Sequence, residues 1–314
     1  MAMRSSATKG LIFGLSAYLI WGSFPLIITA ASFANPFEVV VWRIIFGFVF
    51  AAILLTVTRG WAEVIELVRN PKKLKWLFVS SIFILINWET YVVAVATGNT
   101  IESSLGYFIN PLITILFAVV LLGERLRKAQ WAALSLGAVA VVVLTFDYGR
   151  PPWIAFVLAL SFAIYSLSKN KVGGKIGALQ SFAIESGLVM PIAIIQLAVV
   201  AASTPIMLLS GPMEFGVLVG FGILTAVPLI LFGAAASRIP LSSIGFIQYM
   251  TPTLQFLTAF FILQEPMPAV RWIGFGLVWI SLAVLTFDAL RSRSKSGKAD
   301  LATESLHTPN KPLP

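Results

Sequence analysis

The sequence predicts an all-α membrane protein of ten transmembrane helices, built as two inverted five-helix repeats. Three observations predict it. First, 58% of the 314 residues are hydrophobic and only 11% are charged, too little polar surface for a soluble chain of this length. Second, the apolar residues come in stretches of about 20, the length a helix needs to cross a bilayer. Third, one pattern occurs twice. Pro111, Glu124, Trp131 and Leu144-Thr145-Phe146-Asp147 return as Pro252, Glu265, Trp272 and Leu285-Thr286-Phe287-Asp288, every pair 141 residues apart. Upstream, Ser103-Ser104-Leu105-Gly106-Tyr107 echoes Ser242-Ser243-Ile244-Gly245-Phe246. A long duplication in so apolar a chain points to a secondary transporter.

The spans are expected at 10–30, 37–58, 74–96, 101–121, 128–146, 152–168, 178–200, 214–234, 242–263 and 269–288. The first is too long for a signal-peptide core and should remain as a span. Its Gly10, Gly14 and Gly22, like Gly47 and Gly106 later, allow close helix contacts. The second span carries Arg43. The connection that follows, roughly 59–73, is basic and amphipathic enough to lie on a membrane surface. The third span carries Asn87, Trp88 and Glu89. The fourth opens with Glu102 and holds Pro111, and the fifth ends at Asp147. Tyr165 lies in the sixth span, Glu185 and Pro191 in the seventh, Pro228 in the eighth and Pro252 in the ninth. The tenth ends at Asp288. Residues 1–147 then form the first repeat and 148–288 the second. The remainder, 289–314, is rich in Ser, Lys and Pro and is expected to be a disordered cytoplasmic tail.

With the N-terminus in the cytoplasm, the outer loops carry only Arg150 and Arg271, and Arg43 lies within a span. The rest of the 22 Lys and Arg residues fall on the inner side, as the positive-inside rule requires. Both termini are therefore expected to be cytoplasmic. The net charge of +9 reports topology and gives no reason to expect nucleic acid. Five spans per repeat is an odd number, so the second copy must insert upside down. Arg125-Leu126-Arg127-Lys128 follows Glu124, whereas Pro266-Met267-Pro268-Ala269 follows Glu265. The duplicated loop has lost its three cations, as inversion demands. Two inverted halves around a cavity fit alternating access.

Several chemistries find no support. There is no cysteine, and the single histidine, His307, lies in the tail, so no metal site is expected in the membrane. No Walker spacing for an ATP motor occurs, and nothing points to a cofactor. An integral-membrane transferase lacks intramembrane His or Cys and any large loop. A non-transporting membrane sensor or scaffold stays open as the alternative to a transporter.

Charged groups inside a bilayer are functional candidates because they are costly. Arg43, Glu89, Glu102 and Glu185 qualify. Arg43 needs a carboxylate or backbone carbonyls, and Glu89 and Glu102 are the nearest candidates by depth. Glu185 holds the place in the second repeat that Arg43 holds in the first. Inversion puts the two at mirrored depths, separated by roughly 10 Å along the normal. Glu102, Glu185 and Glu89 are candidates for proton coupling. Asp147 and Asp288 read as solvated helix ends, and Glu124 and Glu265 as structural groups at helix junctions. Pro111 and Pro252 each remove a helix hydrogen bond and free the carbonyls of Tyr107 and Gln248. Broken helices are tolerated where they line a cavity. Tyr107 and Asn110 on one side, and Gln248, Tyr249, Thr251 and Gln255 on the other, are its expected lining. Trp21, Asn87, Trp88 and Tyr165 are further pocket candidates.

At these residues the chain resembles the RarD-type permeases of the EamA family, in the drug/metabolite transporter superfamily. The matching stretches are Ala17-Tyr18-Leu19-Ile20-Trp21-Gly22, Trp42-Arg43, Asn87-Trp88 and Gly123-Glu124-Arg125. The most specific are Glu102-Ser103-Ser104-Leu105-Gly106-Tyr107-Phe108-Ile109-Asn110-Pro111-Leu112 and Gly245-Phe246-Ile247-Gln248-Tyr249-Met250-Thr251-Pro252-Thr253. The resemblance implies ten helices, two repeats, a bacterial inner-membrane location and export of small organic solutes. Arg43 and Glu102 match the family pattern, while Glu89 stands where that pattern has an apolar residue. The expected function is export of small metabolites or drugs, proton-coupled or facilitative.

Overall fold

The computed structural model describes residues 2–122, 125–172, 176–236, 238–239 and 247–307. Glu124 and the echo Ser242–Phe246 lie outside them. Twelve α-helices occur among the described residues: α1 Ala2–Gly22, α2 Phe24–Ala30, α3 Pro36–Val57, α4 Trp61–Arg69, α5 Pro71–Ala96 and α6 Thr100–Leu122. They continue as α7 Lys128–Tyr148, α8 Trp153–Val172, α9 Ala178–Ser203, α10 Pro212–Ala236, α11 Met250–Leu257 and α12 Ala269–His307. A π-helical turn, Thr258–Ile262, extends α11. Seven of the helices are long and apolar enough to cross a membrane, or eight if the bent pair α1–α2 is one span. Two shorter apolar helices, Trp153–Lys169 and Met250–Ile262, accompany them. The protein is thus a multi-pass α-helical membrane protein.

Local chemistry explains where the helices start. The Asn35 side chain accepts from Phe37 N at 3.0 Å and the Asn70 side chain from Lys73 N at 3.1 Å. In each case the asparagine is followed by proline at the first helical position, where a missing N–H does no harm. The first expected span is bent by 40° between α1 and α2. Ser23 sits at the break, its hydroxyl donating back to Ile20 O at 2.8 Å, and Pro25 follows it in the first turn of α2. Beside the break, a Cβ on Gly22 would lie 2.6 Å from a Leu254 methyl, so this close approach to α11 requires glycine.

The two prolines expected to break helices have different surroundings. Pro111 lies inside α6, which runs continuously across it. Pro252 lies in the first turn of α11, where the missing N–H is no loss. The Gln248 carbonyl is not left free, because it accepts from Thr251 N at 3.3 Å. The chain also stays helical after residue 288, through much of the stretch expected to be disordered. A helix already nucleated in α12 needs only good helix formers to propagate, and Ala, Leu, Arg and Lys abound there.

Contacts group the helices into two units, Met1–Asn110 with Pro152–Met267, and Pro111–Pro151 with Pro268–Pro314. In the first, α5 packs on α8 and α9, α3 on α9 and α10, and α1 on α10 and α11. Its core includes Val40, Val41, Ile44, Leu77, Leu158, Phe182 and Phe221. The short α4 is amphipathic as expected, with Val64 and Leu67 buried and Glu63, Glu66 and Arg69 exposed.

In the second unit, α7 packs on α12. Arg271 at the start of α12 pairs with Asp147 at the end of α7, Nε to Oδ2 at 2.7 Å. Arg127, before α7, pairs with Asp288 in α12 at 2.7 Å. The two helices therefore run antiparallel, with an ion pair at each end. Asp147 and Asp288 are not simply solvated as expected; both serve as anchors. Between them, Ser281 Oγ donates to Ala133 O at 2.7 Å, and Gly274 accommodates the Leu144 side chain.

Candidate functional site

Arg43 lies in the middle of α3, among apolar residues, and is 5% exposed. Its guanidinium carbon sits 4.3 Å from the Trp88 ring centroid and 5.1 Å from that of Phe24. Trp88 comes from α5 and Phe24 from the first position of α2, so the bend after Gly22 brings the second ring into place. Arg43 forms no ion pair with any described residue, and its Nε has no hydrogen-bond partner among them.

The carboxylates expected to answer Arg43 are engaged elsewhere. Glu102 Oε1 accepts from the backbone N of Ile154 at 3.0 Å, at the first turn of α8. A carboxylate there satisfies an otherwise orphaned donor and complements the helix dipole. Glu265 does the same for α6, accepting from Thr100 N at 2.7 Å and Ile101 N at 2.8 Å. Glu89 Oε1 accepts from Gln196 Nε2 at 2.7 Å, and the same nitrogen donates to Phe37 O at 3.0 Å. Glu89 Oε2 is buried with no partner among the described residues.

Glu185 does not pair with Arg43. Its Oε1 meets Lys169 Nζ at 2.9 Å and accepts from Ser80 Oγ at 2.6 Å. Lys169 Nζ also donates to Ser181 Oγ and lies 5.4 Å from the Tyr165 ring centroid. Glu185 is buried, and this small polar cluster joins α5, α8 and α9 inside an apolar region.

Asn87 and Tyr107 come together, as fasteners. The Tyr107 hydroxyl donates to Asn87 Oδ1 at 2.9 Å. Asn87 Nδ2 donates to Leu158 O and Ser161 Oγ, both at 3.1 Å. Asn110 Nδ2 donates to Ala159 O at 3.0 Å. These three side chains lock α5 and α6 onto α8. Gly106 supports the same crossing, since a Cβ there would lie 2.8 Å from Ala155 O. The Tyr107 ring stands edge-on to Tyr91 and Phe162, with centroids 5.8 and 6.1 Å apart. Trp21 belongs to a separate aromatic cluster with Tyr18 and Phe232, and its carbonyl accepts from Gln255 Nε2 at 3.3 Å. Gln248 is exposed. Tyr249 precedes α11, and its carbonyl accepts from Thr253 Oγ1 at 2.7 Å.

Sequence reasoning missed Lys169, assigned to an inner loop, and Phe24, which carries no polar signal. It also missed Glu38, which is fully buried and accepts through Oε1 from Trp42 Nε1 at 3.0 Å and Met207 N at 2.8 Å. The Glu38–Trp42 spacing of four residues was a readable helical pair.

The model of the EamA-like transporter family matches residues 8–146. Protein RarD of Streptomyces exfoliatus is 40% identical, over 98% of each chain. Protein RarD of Escherichia coli K12 is 36% identical, over 92% of this chain and 98% of the other. The chain belongs to the EamA-like transporter family, among its RarD-type permeases. A solved crystal structure shares the fold with this permease at a TM-score of 0.58 and 20% identity, covering 90% of this chain and 98% of the other. Family membership makes the permease a membrane transporter.

Proposed function

We propose that this permease is a secondary transporter that exports small organic metabolites or drugs from the cytoplasm across the bacterial inner membrane, by alternating access. The observation that carries the proposal is the placement of Arg43 and the Lys169–Glu185 pair inside otherwise apolar helices. A bilayer-spanning chain retains such groups where they handle cargo or ions. Arg43, Trp88 and Tyr107 are the substrate side of this reading, with Trp21, Asn87, Asn110, Gln248 and Tyr249 around the path. Glu185 is the coupling side, ahead of Glu89 and Glu102. Protonating its carboxylate weakens the pair with Lys169 and loosens the junction of α5, α8 and α9.

Two inverted repeats, 1–147 and 148–288, with both termini in the cytoplasm, complete the proposal. The bent α1–α2 pair, the seven longer helices and the two shorter ones supply the ten spans. The helix pairing supports the inversion. Replacing each span by its counterpart turns the α5–α8 contact into α10–α1 and the α3–α10 contact into α9–α5, and all four occur. The α3–α9 and α7–α12 pairs map onto themselves, and α7–α12 is antiparallel.

The test is uptake into proteoliposomes under an imposed pH gradient, screening amino acids, organic acids and antibiotics. Saturable flux driven by the gradient is expected, and Glu185→Gln should uncouple it. Flux indifferent to the gradient removes the proton. Absence of flux across the panel, with a co-purifying protein partner, removes the transporter reading.

A further inference from the structure

We infer that Arg43 is an anion subsite and that the cargo of this permease includes small organic carboxylates. The inference rests on the transporter reading for the word cargo, but its physical basis is separate. A buried guanidinium without a counter-ion is expensive, by roughly several kcal/mol even after relaxation. The Trp88 and Phe24 rings offset part of that cost, yet rings supply no acceptor oxygen to the five N–H donors of a guanidinium. Some acidic oxygen is therefore owed to this position during the working cycle.

The buried carboxylates of the surrounding helices do not provide it. Glu102 caps α8, Glu185 holds Lys169 and Ser80, and Glu38 holds Trp42 and Met207 N. Glu89 is within electrostatic reach of Arg43, but it forms no ion pair and is held through Oε1 by Gln196. It acts as a distant counter-charge that a cargo anion must outcompete. A second donor is present. The Tyr91 hydroxyl is buried on α5 one turn beyond Trp88, with the Gln255 side chain beside it. A planar carboxylate suits the planar guanidinium fork, which favours bidentate pairing. Because the rings are already in place beside Arg43, the apolar body of such an anion meets aromatic walls.

The test uses radiolabelled phenylacetate and the full-length permease in lipid nanodiscs at neutral pH. Its neutral isostere phenylacetamide and the cation phenethylamine serve as competitors. Saturable phenylacetate binding is expected, with unlabelled phenylacetate competing at least about tenfold better than the amide, as one charge-assisted hydrogen bond implies. Phenethylamine should not compete. Arg43→Gln should abolish the carboxylate preference, Arg43→Lys should retain a weaker one, and Glu89→Gln should tighten phenylacetate binding. Absent phenylacetate binding, equal competition by the amide, or a preference that survives Arg43→Gln would overturn the inference. The wild-type competition series decides the matter even if a variant does not fold. Flux of neutral or cationic solutes without charge discrimination would leave the transporter reading intact and sink the anion subsite. Carboxylate binding without flux of any solute would do the reverse.

Discussion

The α7–α12 pair and the interior of α3 treat charge in opposite ways. In the first, Arg271 meets Asp147 and Arg127 meets Asp288, so each helix end closes on its neighbour. In α3, Arg43 is more buried, with the Trp88 and Phe24 rings beside its guanidinium and no ion pair among the described residues. Paired charges at helix ends fasten a structure, and a buried unpaired charge weakens it. On the transport reading proposed above, Arg43 falls on the functional side, and the difference can be measured as opposite effects on stability and on transport.

The largest expected effect is on transport by Arg43→Gln. Flux should fall by at least about tenfold, the worth of one lost charge-assisted hydrogen bond to cargo. Thermal unfolding in detergent should stay the same or move upward, because the change removes an uncompensated buried cation. A large drop in unfolding temperature would instead class Arg43 with the fasteners and break the comparison.

The Lys169–Glu185 pair is an intermediate case, with Glu185 buried like Arg43 but paired like Asp147. Glu185→Leu alone leaves Lys169 without its partner and should destabilise by about 3 kcal/mol, the low end for a buried pair, since Lys169 keeps 30% side-chain exposure. Adding Lys169→Met should recover most of that stability, while the response of flux to a pH gradient should stay absent in both variants. Recovery of gradient-driven flux in the double variant would make the pair a fastener and nothing more.

Much of this was legible in the sequence. The 141-residue repeat and the loop charges pointed to ten spans in two inverted copies; the structure carries the coarser part of that reading, an all-α arrangement among the described residues with seven helices long and apolar enough to cross a membrane, or eight with the bent pair. Arg43 stood out because a single cation in an apolar run is costly and needs a partner or a task. Its surroundings did not, because which rings face a guanidinium depends on where three helices cross. Phe24 reaches it only through the bend after Gly22, and periodicity places no bend there. Glu265 was read as a structural group at a helix junction, but the partners of Glu102 and Glu265 were hidden for a related reason. A carboxylate that caps the N-terminus of another helix answers backbone donors, and those leave no trace in side-chain pattern. Lys169 was misplaced because span ends are uncertain by several residues, and a long side chain can turn back into the apolar layer.

Capping should have smaller effects than pairing in the interior. Glu265→Gln keeps the size and one acceptor but loses the negative charge at the start of α6. It should cost about 1 kcal/mol, typical of a weakened N-terminal cap, and leave flux per folded molecule unchanged. Lost transport at unchanged stability would move Glu265 from the structural to the functional side of the comparison.

The smallest effect separates the two fasteners themselves. The Arg271–Asp147 side chains are 15% and 7% exposed, against 48% and 16% for Arg127–Asp288. Arg271 also lies 4.3 Å from the Tyr148 ring centroid, so its guanidinium is held by packing as well as by charge. Asp147→Asn should then cost about 1.5–3 kcal/mol, the range for a charge-assisted bond with little water around it. Asp288→Asn should cost below about 0.5 kcal/mol, because water and salt screen a half-exposed partner. Raising the salt concentration should weaken the Arg127–Asp288 contribution and spare the other. Equal costs in thermal unfolding would mean that position in the helix pair matters more than exposure. The contrast drawn with Arg43 would then rest on its missing partner alone and not on its depth.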